Sequence, residues 1–443
     1  GSGCYDMTAA SWSDSCDVPA LTTKVSASVP GKTFAGDSLS LVLNAIGDGV
    51  SGGRYTLNGV NPKCGLPFTD GQSLVIGESI AVGESITLRL YATGDNGEAT
   101  AEYSYTKAPP APADAFSWDN ATVYFVLIDR FLNADTSNDN SYGREKDKSG
   151  KVYAGYQDRE GVFQGGDLKG LTQKLDEGYF TDLGVNAIWI TAPYEQIHGF
   201  VGGDKFKHYG YHGYYALDFA SVDANYGTED ELRTFIDTAH EKGIRVVFDI
   251  VMNHAGYETM GDMDEFKFGG LNAGWDSYYH TADATSIHYE TYATYLNRDS
   301  SAWASHWWGP DWVRKSTEAG DRFAGYDACG GDDGTKCLNG LPDFKTESSK
   351  SVSLPPLLVN KWGQQRTMLE QAELDLFFKN TGLQPTVSNH LIKWISDWVR
   401  DYGVDGFRID TAKHVDMKVW AELKRQSVAA YEEWKAANPN KWP

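Results

Sequence analysis

VDGFRIDTAKH, residues 404–414, decides the fold: it is apolar at Phe407 and Ile409 and carries Arg408, Asp410, Lys413 and His414 to one end. Buried parallel strands read as near-continuous apolar runs that finish in polar residues at their carboxyl tips. Three other stretches have the same form, ATVYFVLIDRF (121–131), VNAIWITAP (185–193) and IRVVFDIVMNH (244–254). Helical stretches alternate with them: LTQKLDEGYFTDLG, TEDELRTFIDTAHEKG and NHLIKWISDWVRDYG. The alternation predicts an α/β fold, a (β/α)8 TIM barrel with its chemistry at the carboxyl end of the strands. Only the first four strand–helix units are visible.

Outward from that stretch the chain divides by composition. Residues 1–106 are rich in Ser, Thr, Gly and Val, with alternating runs such as SLSLVLNAI and ESITLRLYAT between the turn signals GDG and DNG. This pattern predicts an N-terminal β-sandwich. KAPPAPADAF (107–116) reads as a semi-rigid linker. Residues 117–254 carry the first part of the barrel. Residues 255–386, rich in Trp, Gly and Asp, are too long for a loop and read as an inserted domain. Residues 387–443 hold the third helix, the fourth strand and the fourth helix.

The 443 residues carry a formal charge of −22, from 61 acidic and 39 basic side chains. Nucleic acid and anionic membrane are excluded as partners, because a phosphate backbone asks for a basic face. Neutral ligands and bound cations fit. No run approaches the ~18 apolar residues of a membrane span. The five cysteines are Cys4 and Cys16, Cys329 and Cys337 around GGDDGTK, and Cys64. Two local pairs point to disulfides and an oxidising compartment, periplasmic or secreted. Cys64, the odd one, is free or bonded to something outside this chain. GSGCYDM also resembles the end of a bacterial lipoprotein signal, which would make Cys4 a lipid-bearing residue; the otherwise unpaired Cys16 favours a disulfide instead.

DIVMNH (249–254), GFRIDTAKH (406–414), LPDF (341–344) and YHGYYALDFASVDANYGTEDEL (211–232) together resemble the α-amylase family, glycoside hydrolase family 13. With ATVYFVLIDRF and FQGGDLKGL the resemblance is to bacterial periplasmic α-amylases with an extra N-terminal domain. It implies calcium-dependent, retaining endo-hydrolysis of α-1,4-glucosidic bonds in starch and maltooligosaccharides. Retention needs one carboxylate to attack the anomeric carbon and a second carboxylic acid, about 5–5.5 Å away, to protonate the leaving oxygen. Asp410 is the expected nucleophile, forming a glucosyl-Asp410 intermediate. Arg408 lies two residues earlier on the same strand face and orients it. The resemblance makes His254 a hydrogen-bond donor to the sugar, Tyr214 the ring beneath it and His212 a further partner. It sends Lys413 to the leaving-group side and gives Asp249 the structural task of anchoring Arg408.

A calcium site is implied at Asn253, Asp343 and the His414 carbonyl, hard oxygens from barrel and inserted domain. LNADTSND supplies Asn133, Asp135, Asn138 and Asp139, which with Gly165 and Asp167 of QGGDLKG resemble a calcium loop of cyclodextrin-forming enzymes. An Asn/Asp-rich turn without metal is the competing reading there. SHWWGPDW (305–312) is a glucan-binding surface or the core of the inserted region. Trp12, Tyr55, Phe68 and Tyr91 in residues 1–106 show no spacing that marks a sugar site.

The family's general acid, a glutamate on the fifth strand, is expected beyond Pro443. Glu422, Glu432 and Glu433 lie on a predicted helix and are not candidates. A chain ending there is expected to be inactive alone, with a second polypeptide carrying the rest of the barrel after a nick. The alternatives to an α-amylase are an α-glucan transglycosylase or cyclodextrin-forming enzyme, and a non-catalytic glucan-binding protein. The intact set Arg408, Asp410, His254 and Tyr214 argues against the last of these.

Overall fold

The computed structural model describes residues 4–6, 11–13, 21–29, 31–35, 38–108, 116, 118–202, 206–281, 287–297, 307–314 and 329–441, with the backbone alone for 4–6, 11–13, 32, 35 and 120. Most of the linker, Cys16 and the Cys4 side chain, and with them the Cys4–Cys16 pairing and the lipid-bearing Cys4, lie outside the described residues. So do the side chain of Trp12 and the first two residues of SHWWGPDW. Two compact units are present, Gly1–Ala113 with Asn438–Pro443, and Asp114–Ala437.

In the first unit two sheets share one apolar core. One sheet has the order Lys32–Ala35, Gly97–Ala108, Ser85–Gly94, Gly53–Thr56, Leu66–Phe68; the other has Lys24–Ala27, Leu39–Ile46, Gln72–Ile76. Strict alternation produces this arrangement. Leu39, Leu41, Leu43 and Ala45 point inward from one sheet, and Ile86, Leu88, Leu90 and Ala92 from the other. The DNG signal closes the hairpin in which Gly94 pairs with Gly97. Cys64 is exposed and has no disulfide partner among the described residues.

The second unit is built on four parallel strands in sequence order: Val123–Val126, Ala187–Ile190, Arg245–Ile250 and Gly406–Ile409. Registers Val123↔Ala187↔Arg245 and Val247↔Gly406 put the strand tips level. Each expected helix forms, and its boundaries follow from its caps. Asp167 accepts from Gly170 N at 2.6 Å and opens Leu168–Asp176. Thr228 and Glu231 form a capping box at Glu229–Glu241. Thr386 caps Val387–Tyr402, which stops at Gly403 (φ +77°), where a Cβ would strike the Trp434 ring. The segment LTQKLDEGYFTDLG is broken at Gly178 (φ +82°) into two helices. No described helix is long and apolar enough to cross a membrane.

The buried apolar side chains among the described residues of 255–386 belong to the same core as the strands. Trp307, Trp308 and Trp312 are buried in it, Trp308 edge-on to Phe344 and Trp312 stacked 5.8 Å from Trp394. Of the two readings of SHWWGPDW, its described tryptophans follow the core one, with aromatic neighbours such as Phe219, Phe344 and Trp394 to bury against. The segment also contains a long helix, Pro356–Thr381, interrupted at Gly363 (φ 70°, ψ −179°), which the sequence analysis did not anticipate.

Candidate active site

Parallel register sets Asp249 of the third strand opposite Arg408 of the fourth. The period of two then places Arg408 and Asp410 on one face of the fourth strand. Arg408 Nη1 lies 3.1 and 3.2 Å from the two oxygens of Asp249 and 3.0 Å from Asp410 Oδ1. Asp249 is wholly buried; burial pushes its carboxyl pKa up, against the pull of Arg408 and of the Tyr214 hydroxyl, which donates at 3.1 Å. Asp410 differs in being 21% exposed, so an incoming molecule can reach it. One charge thus bridges a sealed carboxylate and an open one.

His254, at the end of the third strand, is buried. Burial lowers its pKa to about 4, so the ring is neutral at pH 7. Its Nε2 lies 3.2 Å from the Tyr214 carbonyl and its Nδ1 3.3 Å from Asn253 Nδ2. A neutral ring with the proton on Nε2 satisfies both bonds. His212 Nδ1 accepts from Tyr214 N at 3.1 Å, and burial first, then His208, Arg130 and His254, lower its pKa to about 4. Its ring is nearly parallel to that of Tyr214, 5.3 Å away. Burial, with Asp249 beside it, raises the Tyr214 hydroxyl to about 12. The structure thus brings together Asp249, Arg408, Asp410, Tyr214, His212 and His254.

Asn253 and Asp343 are joined by backbone pairing. Phe344 N donates to Asn253 O at 2.8 Å, and Ala255 N to Pro342 O at 3.0 Å. Arg314 Nη1 donates to Asp343 Oδ2 at 2.9 Å, whereas Asp343 Oδ1 is buried without a hydrogen-bond partner among the described residues. Burial pushes the Asp343 carboxyl up to about 7. An orphaned, buried carboxylate oxygen beside a buried asparagine amide fits a hard cation. His414 donates from Nδ1 to Asp333 O at 2.7 Å, and the ammonium of Lys413, 72% exposed, lies 3.5 Å from the Asp333 carboxylate.

In the loop after the first strand, Asn133 Nδ2 donates to Asp139 Oδ1 at 2.8 Å. Gly165 (φ +96°) lies so close to both that a Cβ would overlap them. Asn133 Oδ1 and Asn138 Oδ1 are buried and have no hydrogen-bond partner among the described residues, and burial raises the pKa of both Asp139 and Asp167. Orphaned oxygens and costly negative charge around a glycine cradle fit a cation. Asp167 also accepts from the backbone N–H groups of Ala134 and Asp135 at 3.0 and 2.7 Å. Asp135 departs from the expected ligand set: its carboxylate is bonded to Lys169 Nζ and Ser137 Oγ, both at 2.5 Å, because the helix opening at Leu168 brings an ammonium beside it.

Three residues escaped the sequence analysis. Trp189 lies with its ring centroid 5.2 Å from the Arg408 guanidinium, and the inward periodicity of AIWI could have placed it there. Arg314 and Asp333 had no signal, since only tertiary pairing brings them to Asp343 and His414. His198, Asp262 and Glu265 also cluster. Both ring nitrogens of His198 are taken, by Glu265 at 2.6 Å and Glu195 at 2.7 Å, which marks a clasped imidazolium. Burial would lower its pKa, but the two carboxylates prevail and raise it from 6.5 to about 9. A raised folded-state pKa stabilises fully below pH 6.5 and is lost as pH climbs through about 9. Chemical unfolding between pH 6 and 10 should therefore show an alkaline loss that His198→Gln flattens; an unchanged profile in the variant contradicts this.

Glu422 and Glu433 are held by Arg425 and Arg400 respectively. Residues 125–318 match the family profile "Alpha amylase, catalytic domain". The chain is 46% identical over 341 residues to the periplasmic alpha-amylase of Escherichia coli K12, covering 74% of this chain and 46% of that protein. It is 32% identical over 280 residues to an alpha-amylase of Streptomyces lividans, covering 59% of this chain and 25% of the other. It is 33% identical over 150 residues to a cyclomaltodextrin glucanotransferase of Bacillus licheniformis, covering 34% and 20%. The chain thus spans about half the length of the first of these relatives, 46%, and less of the others. The expected second polypeptide finds no support in these matches. Through the segment 125–318 the chain belongs to the α-amylase family, glycoside hydrolase family 13.

Proposed function

We propose that the protein is an exported α-glucan hydrolase that cleaves α-1,4-glucosidic bonds in starch and maltooligosaccharides with retention. The observation that carries this is the Asp249–Arg408–Asp410 bridge at the tips of two adjacent parallel strands. Arg408 aims the Asp410 carboxylate, which attacks the anomeric carbon as the glucosidic bond breaks. A carboxylic acid protonates the departing oxygen, and water later releases the sugar from Asp410. That acid is not assigned to any described carboxylate.

His254 contributes as a neutral ring: its Nε2–H donates to the sugar on giving up the long Tyr214 bond. The Tyr214 face lies beneath the sugar, with His212 alongside, and Lys413 reaches the leaving-group side. Asn253, Asp343 and the His414 carbonyl would hold one calcium. Asn133, Asn138, Asp139, Gly165 and Asp167, with Asp135 through rearrangement, would hold a second. Calcium in these places supplies charge that ties separate segments together. Thermal unfolding with calcium and with chelator tests this. The chelated protein should melt several degrees lower, about 2–4 °C per kcal/mol in a domain of this size. Asp343→Asn should shrink that difference, and no calcium dependence in the parent contradicts the assignment.

Transglycosylation is the second reading, favoured by the identity to a cyclomaltodextrin glucanotransferase and by the Asn/Asp loop. Product analysis on maltoheptaose separates them: linear short maltooligosaccharides support the hydrolase, and cyclic or longer products the transferase.

A further inference from the structure

The loop closed by the Cys329–Cys337 disulfide meets the end of the fourth strand, where the proposed reaction gives it no task. It is stiffened from within. Asp332 accepts from Gly334 N at 3.0 Å and from the Thr335 hydroxyl at 2.6 Å, and Gly330 N donates to Thr335 O at 2.8 Å. Closing so short a ring covalently removes most of the freedom its tip would otherwise have. That tip is Asp333, which turns in two directions. Its carbonyl accepts from His414 Nδ1 at 2.7 Å, and its carboxylate lies 3.5 Å from Lys413 Nζ.

We propose that this disulfide-closed loop is a positioning strap for the leaving-group side of the site, acting through Asp333 on His414 and Lys413. The inference rests on the hydrolase reading above and deepens it. The ion pair cannot do this alone: Lys413 is 72% and Asp333 60% exposed, and so open a pair is weak and screened by salt. The fixed element is the His414 bond, made by a buried ring to the backbone of a closed loop. His414 and Lys413 share the single turn Ala412–His414, which begins at Thr411 with φ +50°. Holding one end of that turn therefore sets where the lysine stem starts, three residues past Asp410. Asp333 then draws the flexible ammonium to one side before any sugar arrives. A glucose unit beyond the cleaved bond meets a pre-placed cation rather than one that must be ordered on binding.

The strap thus serves substrates with sugar on the leaving side and is irrelevant to substrates without it. The test uses full-length protein and two substrates, maltoheptaose and a p-nitrophenyl maltotrioside whose leaving group is not a sugar. The pair Cys329→Ser/Cys337→Ser, which frees the backbone that holds His414, should lower the ratio of kcat/KM on maltoheptaose to that on the aryl substrate about tenfold, and Asp333→Ala, which removes the exposed ion pair but keeps the carbonyl that His414 bonds, about two- to threefold. Asp333→Asn keeps the side-chain shape, covers the event that the alanine variant misfolds, and should shift the ratio in the same direction. Added to Lys413→Ala, Asp333→Ala should lower the ratio no further. A structural role would depress both substrates equally, so active variants with an unchanged ratio overturn the strap. A parent protein inactive on both substrates overturns the hydrolase reading instead.

Discussion

Replacing Asp410 with asparagine is expected to lower kcat on maltoheptaose by on the order of 10⁴-fold while leaving glucan affinity within about threefold. The amide keeps the shape and the bond from Arg408 Nη1, 3.0 Å in the parent, but it is a poor nucleophile. The loss falls on the chemical step because Tyr214, His212 and His254 hold one another and Asp249 without help from the Asp410 carboxylate. Retained turnover removes Asp410 from the reaction; lost affinity with unchanged turnover makes it a binding residue.

Arg144→Ala is expected to destabilise the second unit by about 3–5 kcal/mol, the cost of stranding a buried charge. Arg144 and Asp223 are both fully buried. The guanidinium donates to Asp223 Oδ1 and Oδ2 at 2.9 and 3.0 Å, to Asn225 Oδ1 at 2.8 Å, and to the carbonyls of Gln196 and Ile197 at 3.1 and 2.7 Å. It thereby pins the loop after the first strand, the loop that carries Asn133, Asn138 and Asp139, to the chain after the second strand. Lysine does not restore this, because a compact ammonium cannot reach five acceptors in a plane. Urea unfolding measures it, and a loss below about 1 kcal/mol contradicts the account.

The sequence announced the strands and their helices because buried parallel strands leave unbroken apolar runs, and because caps such as Thr228–Glu231 are local in sequence. The face shared by Arg408 and Asp410 follows from the period of two alone, and parallel register adds Asp249. What escaped depends on tertiary pairing. Arg314 reaches Asp343 only once residues 313–314 pair with 343–344, and Asp333 reaches His414 only through a closed loop. Tryptophans are ambiguous in any sequence, serving sugar faces and cores alike. Trp307, Trp308 and Trp312 went to the core because Phe268, Phe344 and Trp394 respectively were there to receive them. The bond of Asp135 to Lys169 was hidden for a nearby reason: composition marks an acidic loop but not which carboxylate a lysine will claim.

The central claim is that Asp410 bonds covalently to the sugar. Full-length protein incubated with a slow fluorosugar substrate, then digested and analysed by mass spectrometry, tests it directly. The account predicts a glycosyl adduct on the peptide containing GFRIDTAKH, at Asp410, that disappears in Asp410→Asn. An adduct on another residue, or turnover with retention and no adduct at Asp410, contradicts it.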